Sequence, residues 1–304
     1  MSGKNPVRAV SNLHEAYQAI EKGAPKAAIF SEDLARLPDF EVILALLRLS
    51  NVRAVVLDAP HPEMRAPTIA FASGQVDRVQ ETMTDASLCG ILGLLPQRAE
   101  SQQERSGQLN RGAKALLLGA STGGVEALIK ILSTFPQDCP PLLIVQHTGG
   151  SFSAGLARLL DSRAPIRVCE AEDGIAVRPG MAVLAPGDRF HLKMAVRGNS
   201  VRCSLVDEPP LSGHRPSIDV LFQSAVPAAK SIAAAILTGM GRDGANGLLA
   251  LKNAGARTFG QDEETSLVYG MPKVAAEMGA VEQQLPLDRI GPALLAARSE
   301  RTAA

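Results

Sequence analysis

The sequence contains no tryptophan, two tyrosines and eight phenylalanines among its 304 residues, so few aromatic rings are available for stacking. Stacking on such rings is a common way of binding single-stranded nucleic acid. The chain also lacks an excess of charge, because 31 Lys and Arg residues balance 31 Asp and Glu residues. A basic surface usually drives binding to nucleic acid or anionic membranes. We therefore expect no nucleic acid as the main partner and no insertion into a membrane.

Cysteine is scarce, and no CxxC pair or other metal-binding spacing is present. We therefore predict no metal site and no disulfide framework, and a reducing cytoplasm as the location. The N-terminus has no apolar stretch long enough for a signal peptide. The longest uncharged stretch, residues 139–157, contains Gln146, His147 and several small polar residues and cannot span a bilayer. The cysteines are Cys89, Cys139, Cys169 and Cys203.

A polar linker divides the chain into two predicted domains. Residues 97–112 are rich in Gln, Ser, Arg and Glu and almost free of apolar side chains, which is typical of a linker. With 46% hydrophobic residues, the chain can form a core on each side of it. We predict a first domain over 1–96 and a second over 113–304.

The first domain alternates short strand-like runs with helical ones, which predicts a small parallel α/β fold. Helices are expected at His14 to Lys22, which is amphipathic, and at Phe40 to Leu49. The predicted strands are Val7 to Val10, Ala27 to Phe30, Arg53 to Leu57 and Ile91 to Leu95.

The second domain contains three apolar runs, each ending in a Gly-rich or polar loop. They cover Ala115 to Leu118, Leu142 to Val145 and Ala233 to Leu237, and predict buried parallel strands. The predicted helices are Val125 to Leu132, Gly247 to Ala254 and one that begins after Ser217 as its N-cap.

Other runs in this domain predict an antiparallel addition to the sheet. Met181 to Leu184 and the runs on either side of Gly198-Asn199 are expected to form a hairpin that joins it. The fold class is therefore α/β, with a mainly parallel doubly wound sheet and an antiparallel hairpin.

Ser121 is the first candidate for chemistry, because it lies in Gly119-Ala-Ser-Thr-Gly-Gly124 and matches the GxSxG pattern of an exposed nucleophilic serine. Two other interpretations stay open for this motif. Ser121 could only cap the following helix. The loop could also cradle a phosphate, although Val125-Glu126 lies where a P-loop has Lys and Ser or Thr.

His147 and Asp243 follow the other two apolar runs, and the carboxyl ends of parallel strands meet at one edge of a sheet. A serine needs a base to take its proton, and that base needs a carboxylate to fix its tautomer. Backbone N–H groups near Thr122 and Met240 are candidates for an oxyanion hole. The alternatives are a loop histidine bonded to backbone, and an aspartate that forms an Asx turn.

Several strings together make this domain resemble the effector domain of the CheB family, the chemotaxis protein-glutamate methylesterases. The resemblance implies hydrolysis of glutamate γ-methyl esters on the cytoplasmic helices of chemoreceptors, often with deamidation of receptor glutamines. It assigns Ser121 as nucleophile, His147 as base, Asp243 as orienting carboxylate, and Met240 and Thr122 as residues of the oxyanion site, with no cofactor. The strings are GASTGG, QH, EAEDGIAVRPGMAVLAPGDRFHL, HRPSIDVLF, ILTGMGRDGANG and QDEETSLVYGMP.

The chain departs from the family pattern beside the predicted base, where Thr148-Gly149 replaces the usual Met-Pro. The catalytic atoms remain, so we expect a changed substrate entrance. A catalytically weak adaptor that binds receptors is the alternative function.

Residues 7–31 resemble a receiver domain from its second strand to its third, which implies a degenerate, truncated receiver. On that register Ser31 occupies the position of the phospho-acceptor aspartate, and Leu95 that of the family's lysine. Without acidic residues to hold Mg²⁺, phosphoryl transfer loses its electrostatic support. We predict no phosphorylation by the ordinary route, and regulation through a chemosensory partner on this domain as one alternative.

Overall fold

A computed structural model describes residues 8–23, 25–37, 39–50, 52–58, 76–80, 115–198 and 200–297. The chain forms two compact units, Met1–Gly107 and Gln108–Ala304. The predicted linker, 97–112, lies outside the described residues, so the predicted domain limits of 1–96 and 113–304 stay a prediction. No helix in the described ranges is both long and apolar enough to cross a bilayer.

The first unit contains a parallel sheet in the order β1-β2-β3 and helices that match the predicted ones. Side chains of α3 supply much of its core, since Phe40, Ile43 and Leu47 are almost completely buried. The elements are α1 (Leu13–Gly23), β1 (Ala27–Ser31), α2 (Glu32–Ala35), α3 (Phe40–Leu49), β2 (Arg53–Asp58) and β3 (Val76–Gln80).

The predicted strand at Val7 to Val10 is wrong for residues 8–10, which have no regular structure. The following residues instead cap α1. The Asn12 side chain accepts the Glu15 N–H, and the Glu15 carboxylate accepts the Ser11 N–H, both at 2.9 Å. Such reciprocal capping commits this stretch to a helix start rather than a strand. The predicted strand at Ile91 to Leu95 lies outside the described residues.

The second unit is built on a seven-stranded parallel sheet in the order β13-β12-β11-β4-β5-β8-β6. Its central strands are buried along their whole length, as the apolar runs predict. The strands of this unit are β4 (Ala115–Ala120), β5 (Leu142–Gln146), β6 (Arg167–Glu170), β7 (Ala176–Val177), β8 (Met181–Leu184), β9 (His191–Arg197), β10 (Ser200–Val206), β11 (Ile232–Ile236), β12 (Arg257–Gln261) and β13 (Gln283–Leu285).

Helices pack on this sheet in two groups, which confirms the doubly wound class. α4 contacts α5 and α9, whereas α7 contacts α6 and α8. The helix predicted after Ser217 is confirmed, and the Ser217 hydroxyl accepts the Val220 N–H as its cap. The helices are α4 (Gly124–Leu132), α5 (Gly150–Asp161), α6 (Ile218–Ser224), α7 (Ala245–Asn253), α8 (Met271–Glu277) and α9 (Leu287–Ala296), with a 3₁₀ helix at Val226–Ser231.

The antiparallel hairpin is present, but the prediction that it joins the main sheet is wrong. β9 and β10 pair with each other and with β7 in a separate three-stranded sheet. Met181–Leu184 is not part of the hairpin and pairs in parallel with β5 and β6. All four of its residues are buried, which suits an interior parallel strand and not an exposed hairpin.

Candidate active site

The candidate residues lie at the carboxyl edge of three neighbouring strands, β11, β4 and β5. From β4 the chain continues to β5 on one side of the sheet and later returns to β11 on the other, so the strand order reverses here. In doubly wound sheets, ligands bind in the crevice at such a reversal. Ser121 follows β4, His147 follows β5 and Asp243 follows β11.

Backbone hydrogen bonds hold the first turns beyond these strands together. The Ser121 N–H donates to the Thr238 carbonyl, and the His147 N–H donates to the Ala120 carbonyl, both at 3.0 Å. Ala120 pairs with Gln146 at the last position of the parallel ladder, so Ser121 and His147 are the next residues on adjacent strands. The backbone therefore presents the predicted nucleophile beside the predicted base.

The turn at Ser121 requires glycines. Gly123 has φ +83°, which is a left-handed conformation that favours glycine, and a Cβ there would overlap Leu267 and Thr238. A Cβ on Gly124 would overlap the Gln146 side chain. These close approaches let the chain turn directly from β4 into α4 and leave Ser121 partly exposed.

Nε2 of His147 is 2.8 Å from Oδ2 of Asp243, and the two side chains are 10% and 1% exposed. Because the Asp243 carboxylate can only accept, Nε2 carries the proton and donates it. The neutral ring then has its free lone pair on Nδ1. Asp243 therefore sets the tautomer in which His147 can take a proton through Nδ1.

Asp243 is held by three further donors from the start of α6. The Ser217 hydroxyl donates to Oδ1 at 2.7 Å, the Ile218 N–H to Oδ2 at 2.8 Å and the Asp219 N–H to Oδ1 at 3.2 Å. Burial alone would raise the pKa of Asp243, but the hydrogen bond and charge of His147 and these donors outweigh it and lower the pKa. Asp243 is therefore ionised at neutral pH despite its burial.

Two polar groups at these adjacent strand ends, one on His147 and one on Ser121, have no hydrogen-bond partner among the described residues. Nδ1 of His147 is buried without a hydrogen bond. The Ser121 hydroxyl also makes none within the described part of the chain. In the absence of substrate, catalytic hydrogen bonds are often long and tighten only in the complex. The catalytic roles of Ser121, His147 and Asp243 stay predictions, but the structure brings all three to one edge.

The N–H groups of Thr122 and Met240 are the predicted oxyanion donors. Neither donates a hydrogen bond within the ranges that the structure describes. Met240 follows β11, and a Cβ on the preceding Gly239 would overlap the Ser121 side chain. Both N–H groups therefore border Ser121, as an oxyanion hole requires.

His214 is a site residue that the sequence did not reveal. Its ring stacks on His147 with centroids 3.9 Å apart and planes 4° apart. Burial, followed by the nearby His147, lowers the pKa of His214, so this ring is neutral at pH 7. Its loop is tied to Asp188, whose N–H donates to the Arg215 carbonyl and whose carbonyl accepts the Arg215 side chain. His214 therefore covers one face of the predicted base.

We expect His214→Ala to lower kcat/KM about tenfold, because the His147 ring loses the surface that fixes its orientation. His214→Phe should keep most of the activity, since it retains a flat ring against His147. Under the activity that the family resemblance implies, methanol release from a methylated receptor measures both variants. An Ala variant as active as the wild type would show that the stacked ring does not position His147.

The departure at Thr148-Gly149 lies at the start of α5, close to the base. The Gly150 N–H donates to the Asp188 side chain at 2.5 Å, and a Cβ on Gly187 would overlap Gly149 and Gly150. The segment after His147 thus packs closely on the same loop that holds Arg215. This packing leaves no room for a side chain at Gly150 or at Gly187, directly after the departure.

Comparison with known proteins shows the family to which the chain belongs. The family model for the CheB methylesterase matches residues 116–294, from β4 to α9. The chain belongs to the CheB methylesterase family. A crystal structure of the Thermotoga maritima CheB methylesterase catalytic domain is similar to it, at 36% identity and a TM-score of 0.58, over 60% of this chain and 98% of that one.

Two curated relatives illustrate how far the likeness extends. One from Rhizobium etli is 51% identical over 195 residues, covering 63% of this chain and 56% of the relative. Another from Agrobacterium fabrum is 38% identical over 304 residues, covering 93% of this chain and 86% of the relative. Both are named protein-glutamate methylesterase/protein-glutamine glutaminase. The chain spans about half the length of seven of the curated relatives that it matches.

Proposed function

We propose that this chain hydrolyses γ-methyl esters of glutamate residues in chemoreceptors and also deamidates receptor glutamines, as the names of its relatives suggest. The observation that carries the proposal is the His147–Asp243 hydrogen bond, which leaves Nδ1 without a partner on a residue that follows the strand next to that of Ser121. A base without a partner next to a serine suits acyl transfer to water.

In the proposed reaction, Ser121 Oγ attacks the γ-carbonyl carbon while its proton moves to Nδ1 of His147. Collapse of the tetrahedral intermediate breaks the bond to the methoxy oxygen, which takes that proton and leaves as methanol. Water then gives a proton to Nδ1 and attacks the acyl carbon. Ser121 leaves with this proton, and the product is a glutamate carboxylate. A glutamine substrate would release ammonia in place of methanol.

Asp243 stays ionised and stabilises the imidazolium that forms in each half of the reaction. The N–H groups of Thr122 and Met240 would stabilise the negative oxygen of each tetrahedral intermediate. Every proton in this scheme moves between the substrate, water, Ser121 and His147. The scheme therefore requires neither a metal ion nor an organic cofactor.

We propose the cytoplasmic helices of methylated chemoreceptors as the substrate, with the enzyme in the cytoplasm. Apolar side chains beside the site support a helical protein substrate, since Met240 is 74% exposed and Leu267 is 37% exposed. The test is methanol release from a panel of methylated receptors. One receptor should be demethylated in preference to the others, and no release from any of them would refute the proposal.

A receptor-binding adaptor without catalysis is the second candidate, because the altered segment at Thr148-Gly149 borders the base. The same panel separates the two. An adaptor would bind a methylated receptor tightly and release no methanol, whereas the proposed enzyme turns it over repeatedly.

We propose that the first unit is a degenerate receiver that is not phosphorylated. Ser31 ends β1, at the position that the resemblance gives to the acceptor, and a serine cannot form the acyl phosphate of that chemistry. The adjacent Glu32 is buried and its carboxylate accepts a 2.8 Å hydrogen bond from Arg36. Regulation would then come from the abundance of the protein or from a partner that docks on this unit, or the enzyme would be unregulated.

Incubation with acetyl phosphate and Mg²⁺ should therefore leave the intact mass of the chain unchanged. Mass spectrometry after rapid desalting checks this expectation. A phosphoryl adduct on Glu32 or Asp33 would contradict the register.

A further inference from the structure

The two candidate oxyanion donors belong to peptide groups whose carbonyl oxygens are held by hydrogen bonds. The N–H of Thr122 shares a peptide plane with the Ser121 carbonyl, and the N–H of Met240 shares one with the Gly239 carbonyl. In a trans peptide the N–H and C=O point in opposite directions. Whatever holds the carbonyl oxygen therefore also determines where the N–H points.

The Ser121 carbonyl accepts two hydrogen bonds, from Nε2 of Gln146 at 2.9 Å and from the Gly124 N–H at 2.8 Å. Nε2 of Gln146 also donates to the His147 carbonyl at 3.2 Å. Gln146 is 2% exposed, so water does not compete for these bonds. One amide thus links the backbone of the predicted nucleophile to that of the predicted base.

The Gly239 carbonyl is held in the same way, by the start of α8. It accepts the Met271 N–H at 2.8 Å and the Gly270 N–H at 3.1 Å. These are N–H groups that a helix leaves unpaired at its beginning. A Cβ on Gly270 would lie 2.7 Å from the Gly239 carbonyl oxygen and 3.2 Å from the Cα of Met240.

We propose that Gln146 is a positioning residue that orients the Thr122 N–H toward the oxyanion, and that Gly270 and Met271 orient the Met240 N–H in the same way. Each of the two peptide groups is held by two hydrogen bonds to its carbonyl oxygen. Together they supply a preorganised oxyanion hole, which needs no rearrangement when negative charge develops. This assigns a role to Gln146 and to the YGMP segment, neither of which supplies a reacting atom. The inference rests on the proposed function.

Gln146→Met tests the first anchor, because methionine has a similar volume and no N–H. We expect kcat to fall roughly 10- to 100-fold with KM nearly unchanged, since a misdirected donor is lost mainly in the transition state. A trifluoromethyl ketone analogue of the glutamyl substrate, which Ser121 converts to an oxyanion, should lose affinity by the same factor as kcat/KM. The acidic limb of the pH profile should not move, because His147 keeps its tautomer.

Gly270→Ala tests the second anchor. The φ of Gly270 is −104°, so alanine is compatible with the backbone, and its effect must come from the contact with Gly239 and Met240. It should lower kcat and inhibitor affinity in the same proportion. With Gln146→Met, the combined loss should exceed either single loss, because each variant disturbs a different donor to the same oxyanion.

Thr258→Val is the matched control for lost buried hydrogen bonds. The Thr258 hydroxyl is buried in β12, donates to the Ala280 carbonyl and accepts the Glu282 N–H. This variant should lower Tm as Gln146→Met does, while keeping kcat and inhibitor affinity.

The anchor proposal is overturned if Gln146→Met lowers Tm but keeps kcat and inhibitor affinity. It is also overturned if the loss of kcat comes with a shifted acidic limb, which would locate the effect at His147. A wild-type chain that releases no methanol from any methylated receptor would instead refute the proposed function.

Discussion

Replacing Ser121 by alanine should reduce methanol release from a methylated receptor by about 10⁴-fold or more, because the acyl-enzyme can no longer form. The fold should remain. Ser121 is partly exposed, and its hydroxyl makes no hydrogen bond within the described residues, so the change in the free energy of unfolding should be below about 1 kcal/mol. Steady-state kinetics and thermal unfolding measure the two effects separately.

Ser162→Ala is the matched control for the loss of a serine hydroxyl. Ser162 follows α5, and its hydroxyl donates to the Leu159 carbonyl, away from the three strand ends. This variant should retain wild-type activity. Methanol release by Ser121→Ala at the wild-type rate would exclude Ser121 as the nucleophile.

Replacing Asp243 by asparagine should lower kcat by about 10⁴-fold, as expected when the carboxylate that fixes the tautomer of the base is lost. Asparagine has one oxygen, while four donors surround this carboxylate. If its NH₂ group faces His147, Nε2 must become the acceptor. Nδ1 is then protonated and cannot take the proton of Ser121.

The same substitution should destabilise the fold near neutral pH. The pKa of Asp243 is lowered in the fold, so its carboxylate contributes stability above the ordinary pKa of about 3.9. That contribution disappears as pH falls through the lower, folded pKa. The difference in unfolding free energy between wild type and Asp243→Asn should therefore shrink in acid, as measured by urea unfolding at several pH values.

Asp161→Asn provides the control for amide replacement at a carboxylate. Asp161 ends α5, and its carboxylate accepts the Val168 N–H at 2.7 Å. It should keep wild-type kcat. An Asp243→Asn enzyme within tenfold of the wild type would show that Asp243 does not set the tautomer of the base.

The sequence predicts the geometry of the site well where it depends on strand ends. Ser121, His147 and Asp243 each follow a short apolar run, and parallel strands bring their carboxyl ends to one edge whatever the details of the helices. Gly123 and Gly124 also indicate the sharp turn, because only small residues allow it. These features are local in the sequence and depend little on packing.

What could not be predicted depends on contacts between distant segments. His214 reaches His147 only because the loop that carries it is tied to Asp188, and no periodicity encodes that stack. The sequence pattern places the hairpin in the wrong sheet, because alternation predicts pairing within a hairpin but not which sheet it joins. The sequence pattern does not predict the strand at Val76–Gln80, because three of its five residues are polar.

The central claim is that Ser121 carries a covalent acyl group during turnover, and partitioning of that intermediate tests it most directly. Methyl and ethyl esters of the same receptor glutamate are hydrolysed in the presence of hydroxylamine, with Ser121→Ala as the background. A shared acyl-enzyme predicts the same ratio of hydroxamate to carboxylate from both esters. A ratio that depends on the alcohol released would contradict the account.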